Sequence, residues 1–454
     1  MTALMTADPV RLAWAAGAVV LWLVFTLVML WRGRRAPAGG ARDGGWLIAV
    51  ASQTGFAEEL AEMTEALAAP TGPVRTVLLG DLEAADLRAA GRVLFIVSTT
   101  GEGDSPDSAS WFVRKVMGAG ADLRGVRYGL LALGDHAYKD FCAFGRSLDA
   151  WLRRSGAEPL FEAIEVDNGD AAAVNRWRDQ VAAAVGAAAG AAWTPPALDH
   201  WRLVERRLLN PGSPGGAAYH LAFEPLDGPA DWSAGDIAEI GLPAVDGVSP
   251  GSREYSIASL PSDGRVELLL RLMMRPDGTP GLASGWLTQQ IAVDETVAMR
   301  TRVNRSFHGP APETPMILIG NGTGIAGLRA HLKARAAAPS ADTWLLFGER
   351  TAAHDSFYDS ELQSWRASGV LTRLDRAFSR DAGPNEAGGR RYVQALIAEQ
   401  ATEIAAWVAR GAAIYVCGSQ EGMASGVHAA LEAALGPDRL VELTEAGRYR
   451  RDVY

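Results

Sequence analysis

The chain has 454 residues, enough for two to four packed domains, and its 48% hydrophobic and 21% charged residues are the proportions of a globular protein rather than a disordered one. A formal net charge of -10 excludes the basic face that nucleic-acid binding requires. Two cysteines far apart, Cys142 and Cys417, point to a reducing compartment without a structural disulfide; seven histidines without ligand-like spacing, and no Cys-x-x-Cys, leave no metal site to expect.

The run from Leu12 to Trp31 carries no charge. At about 1.5 Å per residue it spans about 30 Å, the thickness of a bilayer core, which predicts an N-terminal transmembrane helix in contact with lipid. The run is too long for the core of a signal peptide, and no small-residue cleavage site closes it. Arg32, Arg34, Arg35 and Arg42 flank its end against Arg11 alone before it, so the positive-inside rule predicts a single-pass protein of the cytoplasmic (inner) membrane with everything after the helix in the cytoplasm. Residues 32–45, rich in Gly, Arg, Pro and Ala, form a tether.

From Trp46 short apolar runs alternate with helical segments. Trp46–Ala51, Arg75–Leu79, Val93–Ser98, Arg127–Leu133 and Phe161–Val166 are predicted strands; Phe56–Ala68, Arg146–Ser155 and an Ala-rich stretch from Asp170 to about Ala188 are predicted helices. That alternation predicts a doubly wound parallel sheet over residues 46–190, followed by a Gly/Pro-containing linker at 191–199. Ligands of such sheets bind outside the C-terminal strand ends, at the switch point.

Three loops fall at those ends. SQTGFA follows the first strand and opens a helix, so the Ser52 and Thr54 hydroxyls and the backbone N–H groups of Gln53 to Gly55 suit a phosphate; taken alone, plain N-capping explains the same residues. STTGEGDSP follows the third strand, where Gly101 and Gly103 let the backbone approach a flat ring and Glu102, Asp104 and Asp107 leave an acidic rim. LGDHAYKDFCAFG, from Leu133 to Gly145, places Tyr138 and Phe141 where an aromatic lies against that ring.

The three loops together resemble the FMN domain of cytochrome P450 reductases and sulfite reductase flavoproteins, that is, a flavodoxin-like domain. The resemblance implies FMN held by Ser52, Gln53, Thr54, Gly55, Phe56 and Ala57 and by Ser98, Thr99, Thr100 and Gly101. It adds Leu133, Gly134, Asp135, Phe141 and Cys142 of the third loop, with Tyr138 stacked on the ring and Asp167 near it. Thr100 stands where the P450 reductases carry an aromatic, which resembles the sulfite reductase type. In this family the acidic face docks basic electron acceptors, where opposite charge speeds encounter.

Residues 200–310 change texture. Arg202–Leu209, Ala218–Phe223, Asp236–Ile240, Tyr255–Ala258 and Val266–Leu272 are predicted strands with turns between them, which suggests a small antiparallel β-barrel. From Pro315 the α/β alternation returns, with strands at Met316–Ile319, Thr343–Phe347, Val370–Leu374 and Ala413–Cys417, giving a second α/β domain over 311–454.

REYSIAS at Arg253–Ser259, followed about 28 residues later by GLASGWL at Gly281–Leu287, resembles the FAD barrel of the ferredoxin-NADP reductase superfamily. The resemblance implies FAD on Arg253, Glu254, Tyr255 and Ser256, with Gly281, Leu282, Ala283 and Ser284 at its phosphates. GNGTGIAG supplies Gly322 and Gly324 for a tight turn under a pyrophosphate and Thr323 as a donor, although Gly327 stands where the family usually has Pro. The stretch from Ser379 to Gln394 resembles the family's 2'-phosphate motif, with Ser379, Arg380 and Arg390 around the phosphate, Tyr392 over the adenine and Gln394 behind, favouring NADPH.

The resemblance further implies that Ser256, Cys417 and Asp452 meet where hydride passes and that the terminal Tyr454 covers the FAD ring. SQEGM replaces a more acidic nucleotide-contacting stretch, and only Leu242 to Ser252 occupies the place of the family's helical connecting domain. The expectation is a membrane-anchored, minimal NADPH diflavin oxidoreductase passing electrons through FAD and FMN to a haem or iron–sulfur protein. A ferric-siderophore or quinone reductase at the inner membrane is the alternative enzyme. A membrane-tethered flavin-binding partner or sensor without turnover is the alternative of another class.

Overall fold

The computed structural model describes residues 45–454 except 53, 101–102, 137–138, 245–250 and 382–390. Trp46–Ala51 is apolar throughout and wholly buried, as a central strand of a parallel sheet must be when both faces are covered. This strand, β1, pairs in parallel with β2 (Val74–Leu78) and β3 (Arg92–Ser98), and β3 pairs with β4 (Arg127–Gly134). β5 (Glu158–Pro159) and β6 (Ile164–Asp167) both pair with β4, so the order is β2-β1-β3-β4-β5 with β6 also on β4. Helices α1 (Phe56–Ala68), α2 (Ala84–Ala90), α3 (Ala143–Arg154) and α4 (Ala171–Val185) connect the strands. The order reverses between β1 and β3, the flavodoxin-like switch point.

The second sheet is antiparallel, from β7 (Asp199–Leu208), β8 (Ala218–Pro225), β9 (Ile237–Gly241), β10 (Ser252–Ser256), β11 (Val266–Arg271) and β12 (Thr296–Arg302) in the order β10-β9-β12-β7-β8-β11. Its end strands lie against each other, so it curls around a core of Trp201, Leu221, Phe223 and Leu268. β9 and β10 form a hairpin with Ser252 opposite Gly241, closed by Leu242 N–H on Gly251 O at 3.0 Å. No connecting domain separates them.

The third sheet is parallel, from β13 (Met316–Asn321), β14 (Thr343–Glu349), β15 (Arg373–Phe378), β16 (Ala413–Gly418) and β17 (Tyr449–Val453), in the order β15-β14-β13-β16-β17. Helix α5 (Ile325–Ala336) starts directly after the glycine loop that follows β13. Neither β12 nor β17 was among the predicted strands.

The segment between the first two sheets is pinned rather than loose. Asn175 on α4 clamps Trp193 with Nδ2 on its carbonyl at 2.9 Å and Oδ1 on its N–H at 2.8 Å. Two sets of ion pairs then fix the first sheet on the others: Arg300 of β12 forks onto Glu59 of α1, at 2.8 and 3.0 Å, and Arg451 of β17 grips Asp107.

The expected transmembrane helix and the inner-membrane placement that rested on it are corrected here. Among the described residues no helix is long and apolar enough to cross a membrane. α4, with 15 residues, is about 22 Å long at 1.5 Å per residue, short of the roughly 30 Å of a bilayer core. Leu12–Trp31 and the tether at 32–44 lie outside the described residues.

Candidate flavin and nucleotide sites

The loop after β1 turns through Gly55 in the left-handed region, φ 88°, before α1 begins at Phe56. Ser52 Oγ accepts the Gly55 N–H at 3.0 Å, and the Ser108 hydroxyl braces Ser52 by donating to its carbonyl at 3.1 Å. Ala57 is sealed beneath. A Cβ on Gly55 would stand 2.3 Å from the Val303 carbonyl, and Arg302 Nε donates to Thr54 O at 2.9 Å, so this loop is pressed against the end of β12.

After β3, which ends at Ser98, Thr99 N–H bonds Leu133 O at 2.9 Å, whereas its hydroxyl is buried with no partner among the described residues. A buried hydroxyl without a partner is costly, and a flavin in the cradle would supply one. Thr100 is spent locally, its N–H on Asp104 O at 2.9 Å. Leu133 and Gly134 end β4; a Cβ on Gly134 would meet Cys142 Sγ and Phe141 Cδ2 at 2.9 Å. Cys142 is fully buried, and burial pushes its thiol up to about 12, so it packs and does not react. Past Asp135, His136 stacks on Phe141 at 3.6 Å and gives its N–H to Asp167 at 2.9 Å. Gln53, Gly101, Glu102 and Tyr138 lie outside the described residues.

On β10, Arg253 donates to Ser252 O at 2.8 Å, Glu254 is exposed and ion-pairs with Arg302, and burial raises the Tyr255 phenol to about 12. The segment from Gly281 through Leu282 and Ala283 to Ser284 is locked to Met273: Gly281 N–H reaches Met273 O at 2.8 Å, and Ser284 Oγ accepts Met273 N–H at 3.1 Å.

Three predicted residues from three distant strands converge. Ser256 Oγ donates to Asp452 Oδ2 at 2.6 Å, and the Cys417 thiol faces the same oxygen at 3.7 Å. Cys417 and Asp452 are register partners in the parallel pair β16–β17, which is what brings them together. Burial raises both, the carboxyl above its usual range and the thiol well above its own. Gly327 in α5 closes the cluster: a Cβ there would stand 3.2 Å from Cys417 Sγ and 3.5 Å from Ser256 Cβ.

A cavity of about 880 Å³ opens next to the cluster, over the C-terminal ends of β13, β14 and β15. Its size suits an extended dinucleotide. Gly322, Thr323, Ser379, Arg380, Tyr392 and Gln394 all line it; Arg390 lies outside the described residues. Gly322 has φ 54°, and a Cβ on Gly324 would fall 2.0 Å from Cys417 O, so the turn admits no side chain there. Tyr454 caps one end, its hydroxyl on Thr323 Oγ1 at 3.2 Å.

Residues outside the expected site set contribute as well. Arg271, Asn321, Glu349, Ser419 and Met423 also line the cavity, and Asn321 Oδ1 holds the Ser419 N–H at 3.1 Å. Arg271 and Glu349 carry slight signal in the sequence, since each merely ends a strand, whereas Asn321 lies in the GNGTGIAG turn and Ser419 and Met423 lie in the SQEGM stretch. Asp107, expected on an open acidic rim, instead pairs with Arg451.

The Flavodoxin family profile matches residues 48–177, and the Oxidoreductase NAD-binding domain profile matches residues 318–429. The chain is 27% identical to the sulfite reductase [NADPH] flavoprotein alpha-component of Vibrio vulnificus over 90% of this chain and 87% of that protein. It is 28% identical to the protein of the same name from Klebsiella pneumoniae over 98% and 95%, and 28% identical to that of Yersinia enterocolitica over 89% of each.

Proposed function

The chain belongs to the diflavin reductase family in a version without the connecting domain, and on that premise we propose that it carries electrons from NADPH to a haem or iron–sulfur protein. Its cofactors are FMN, FAD and NADPH. One observation carries the proposal: β17 joins the Ser256–Asp452 cluster beside the nucleotide cavity to the loops of the first sheet, through Asp452 on one side and Arg451 on the other.

When bound, FAD accepts a hydride from NADPH and FMN passes electrons on singly, chemistry that belongs to the cofactors. The chain supplies position and electrostatics. The backbone N–H groups after β13 hold a pyrophosphate, and Ser379 with Arg380 takes the 2'-phosphate. Arg253, beside Tyr255, would hold the FAD phosphates through its guanidinium. Asp452 fixes the direction of the Ser256 hydroxyl, and Cys417 fills the remaining space so that water stays out. Tyr454 leaves Thr323 to admit the nicotinamide. In the first domain Ser52 and Gly55 shape the phosphate turn, and Thr99 gives its unpaired hydroxyl to the flavin.

A haem or iron–sulfur acceptor is supported by the relatives, whose names attach them to sulfite reductase. It docks on the acidic side of the first domain once Asp107 is released from Arg451. Purified protein carrying one FMN and one FAD, supplied with NADPH, is expected to reduce a cytochrome or a sulfite reductase haemoprotein faster than ferric chelates or quinones. A tenfold preference for quinone would overturn the acceptor assignment, and unreduced flavins under excess NADPH would overturn the enzyme reading in favour of a flavin-binding partner.

A further inference from the structure

Arg271 is the last residue of β11 and Glu349 the last of β14, so one belongs to the barrel and the other to the nucleotide-binding sheet. They form an ion pair through Arg271 Nη2 and Glu349 Oε1, with Arg271 Nη1 on Gly216 O at 2.5 Å and Glu349 Oε2 on Arg350 N–H at 2.6 Å. Both line the nucleotide cavity. The pair sits over the glycine turn: a Cβ on Gly322 would be 3.7 Å from Glu349 Oε1 and 3.9 Å from Arg271 Nη2, with no other described atom outside its chain neighbours inside 4 Å.

NADPH brings two separate groups of negative charge. Ser379 and Arg380 follow β15, while Gly322 follows β13, and β14 lies between them. At about 4.8 Å per strand the two phosphate positions are roughly 10 Å apart, too far for one guanidinium to serve both. Arg350, which also lines the cavity, is turned toward the barrel, where its Nη1 packs on Gly215. Among the described residues Arg271 is the guanidinium next to the turn.

We propose that Arg271 is a pyrophosphate-binding residue, supplied to the nucleotide site by the FAD barrel, and that Glu349 is the counter-ion that holds it over Gly322 before the nucleotide arrives. The inference rests on the nucleotide reading above. An arginine has five donors, so Arg271 keeps Gly216 and Glu349 while turning a free N–H to a phosphate oxygen. Glu349 is nearly sealed, and its burial raises the carboxyl, a penalty that Arg271 opposes. Its negative charge beside an anion site makes sense as a device that aims the arginine and restrains its charge.

The test measures binding of NADP+ and of adenosine 2'-monophosphate, which lacks the pyrophosphate, to flavin-loaded protein by calorimetry. Arg271→Ala is expected to weaken NADP+ by about tenfold or more, the scale of a lost charge-assisted hydrogen bond, and to leave the 2'-monophosphate within about twofold. Arg271→Lys recovers part of the loss. Glu349→Gln frees the guanidinium and tightens NADP+ severalfold. Equal weakening of both ligands in Arg271→Ala, unchanged NADP+ binding, or a Glu349→Gln variant as weak as Arg271→Ala would overturn the proposal and make the pair an interdomain strut. If Arg271→Ala loses its flavins, Arg271→Lys and Glu349→Gln decide by the same criteria. Parent protein that binds neither ligand would overturn the nucleotide reading itself, whereas binding of both with no effect of Arg271 overturns this inference alone.

Discussion

Arg451 and Asp452 are consecutive residues of β17 whose side chains take opposite faces of the strand. Arg451 grips Asp107 in the loop that follows β3, and Asp452 accepts the Ser256 hydroxyl at 2.6 Å. The alternation that any strand imposes on successive side chains therefore couples two tasks in five residues of chain. One face holds the first domain in place, and the other orients the cluster beside the nucleotide cavity.

Asp452→Asn retains the shape of the carboxyl and changes its charge and acceptor pattern. The variant is expected to bind both flavins normally and to be reduced by NADPH at least about tenfold more slowly, the range typical of lost electrostatic positioning. Stopped-flow absorbance of the FAD band measures this directly; a parent-like rate removes Asp452 from the hydride step.

The same substitution makes a prediction about stability and pH. Burial raises the Asp452 carboxyl above its unfolded value, so the folded chain holds that proton more tightly than the unfolded chain does. The stability this contributes is present at low pH and is lost as pH rises from the ordinary carboxylate range through the raised value. Asn does not titrate and escapes that loss. The melting temperature of the variant should gain on that of the parent as pH rises toward neutrality, and a difference independent of pH would contradict the assignment.

Glu59→Gln and Asp107→Asn each remove one anchor between the first domain and the rest. Electron arrival at FMN is expected to slow severalfold while reduction of FAD by NADPH keeps its rate. The anchored side chains are 13–30% exposed, so salt reaches them, and raising ionic strength should slow the parent more than the double variant. Rapid-mixing traces at two wavelengths separate the steps; equal slowing of both would show that the ion pairs act on the whole fold.

Arg380 is the cation of the predicted 2'-phosphate loop that lines the cavity among the described residues, since Arg391 turns to Glu399. Arg380→Ala should raise the KM for NADPH by about tenfold or more and the KM for NADH by less than about twofold, because only the former carries the phosphate. Steady-state kinetics with both nucleotides decide it. Parallel changes would move the 2'-phosphate elsewhere.

Much of the architecture is local information. The apolar runs at Trp46, Val93 and Met316, each followed by a glycine- or hydroxyl-rich turn and a helix, identify parallel strands and their ligand-bearing ends, because period and turn chemistry are properties of adjacent residues. The Arg-x-Tyr-Ser and Gly-x-x-Ser elements are legible for the same reason. β12 and β17 carry no strand pattern in the sequence, since Thr-Val-Ala-Met-Arg-Thr-Arg and Tyr-Arg-Arg-Asp-Val mix apolar and charged residues, as edge and interface strands do. Those two strands carry Arg300, Arg302, Arg451 and Asp452.

The sequence by itself determined the succession of parallel, antiparallel and parallel sheets, the loops at the strand ends and the absence of a connecting domain between β9 and β10. Only the tertiary structure decided that Arg300 meets Glu59, 241 positions away, that Arg451 meets Asp107, 344 away, and that Arg271 meets Glu349 at the wall of the cavity, 78 away. The physical reason is range. Backbone propensity and turn geometry act over a few residues, whereas an ion pair forms wherever packing delivers two opposite charges to one low-dielectric seam, and no local pattern records that meeting.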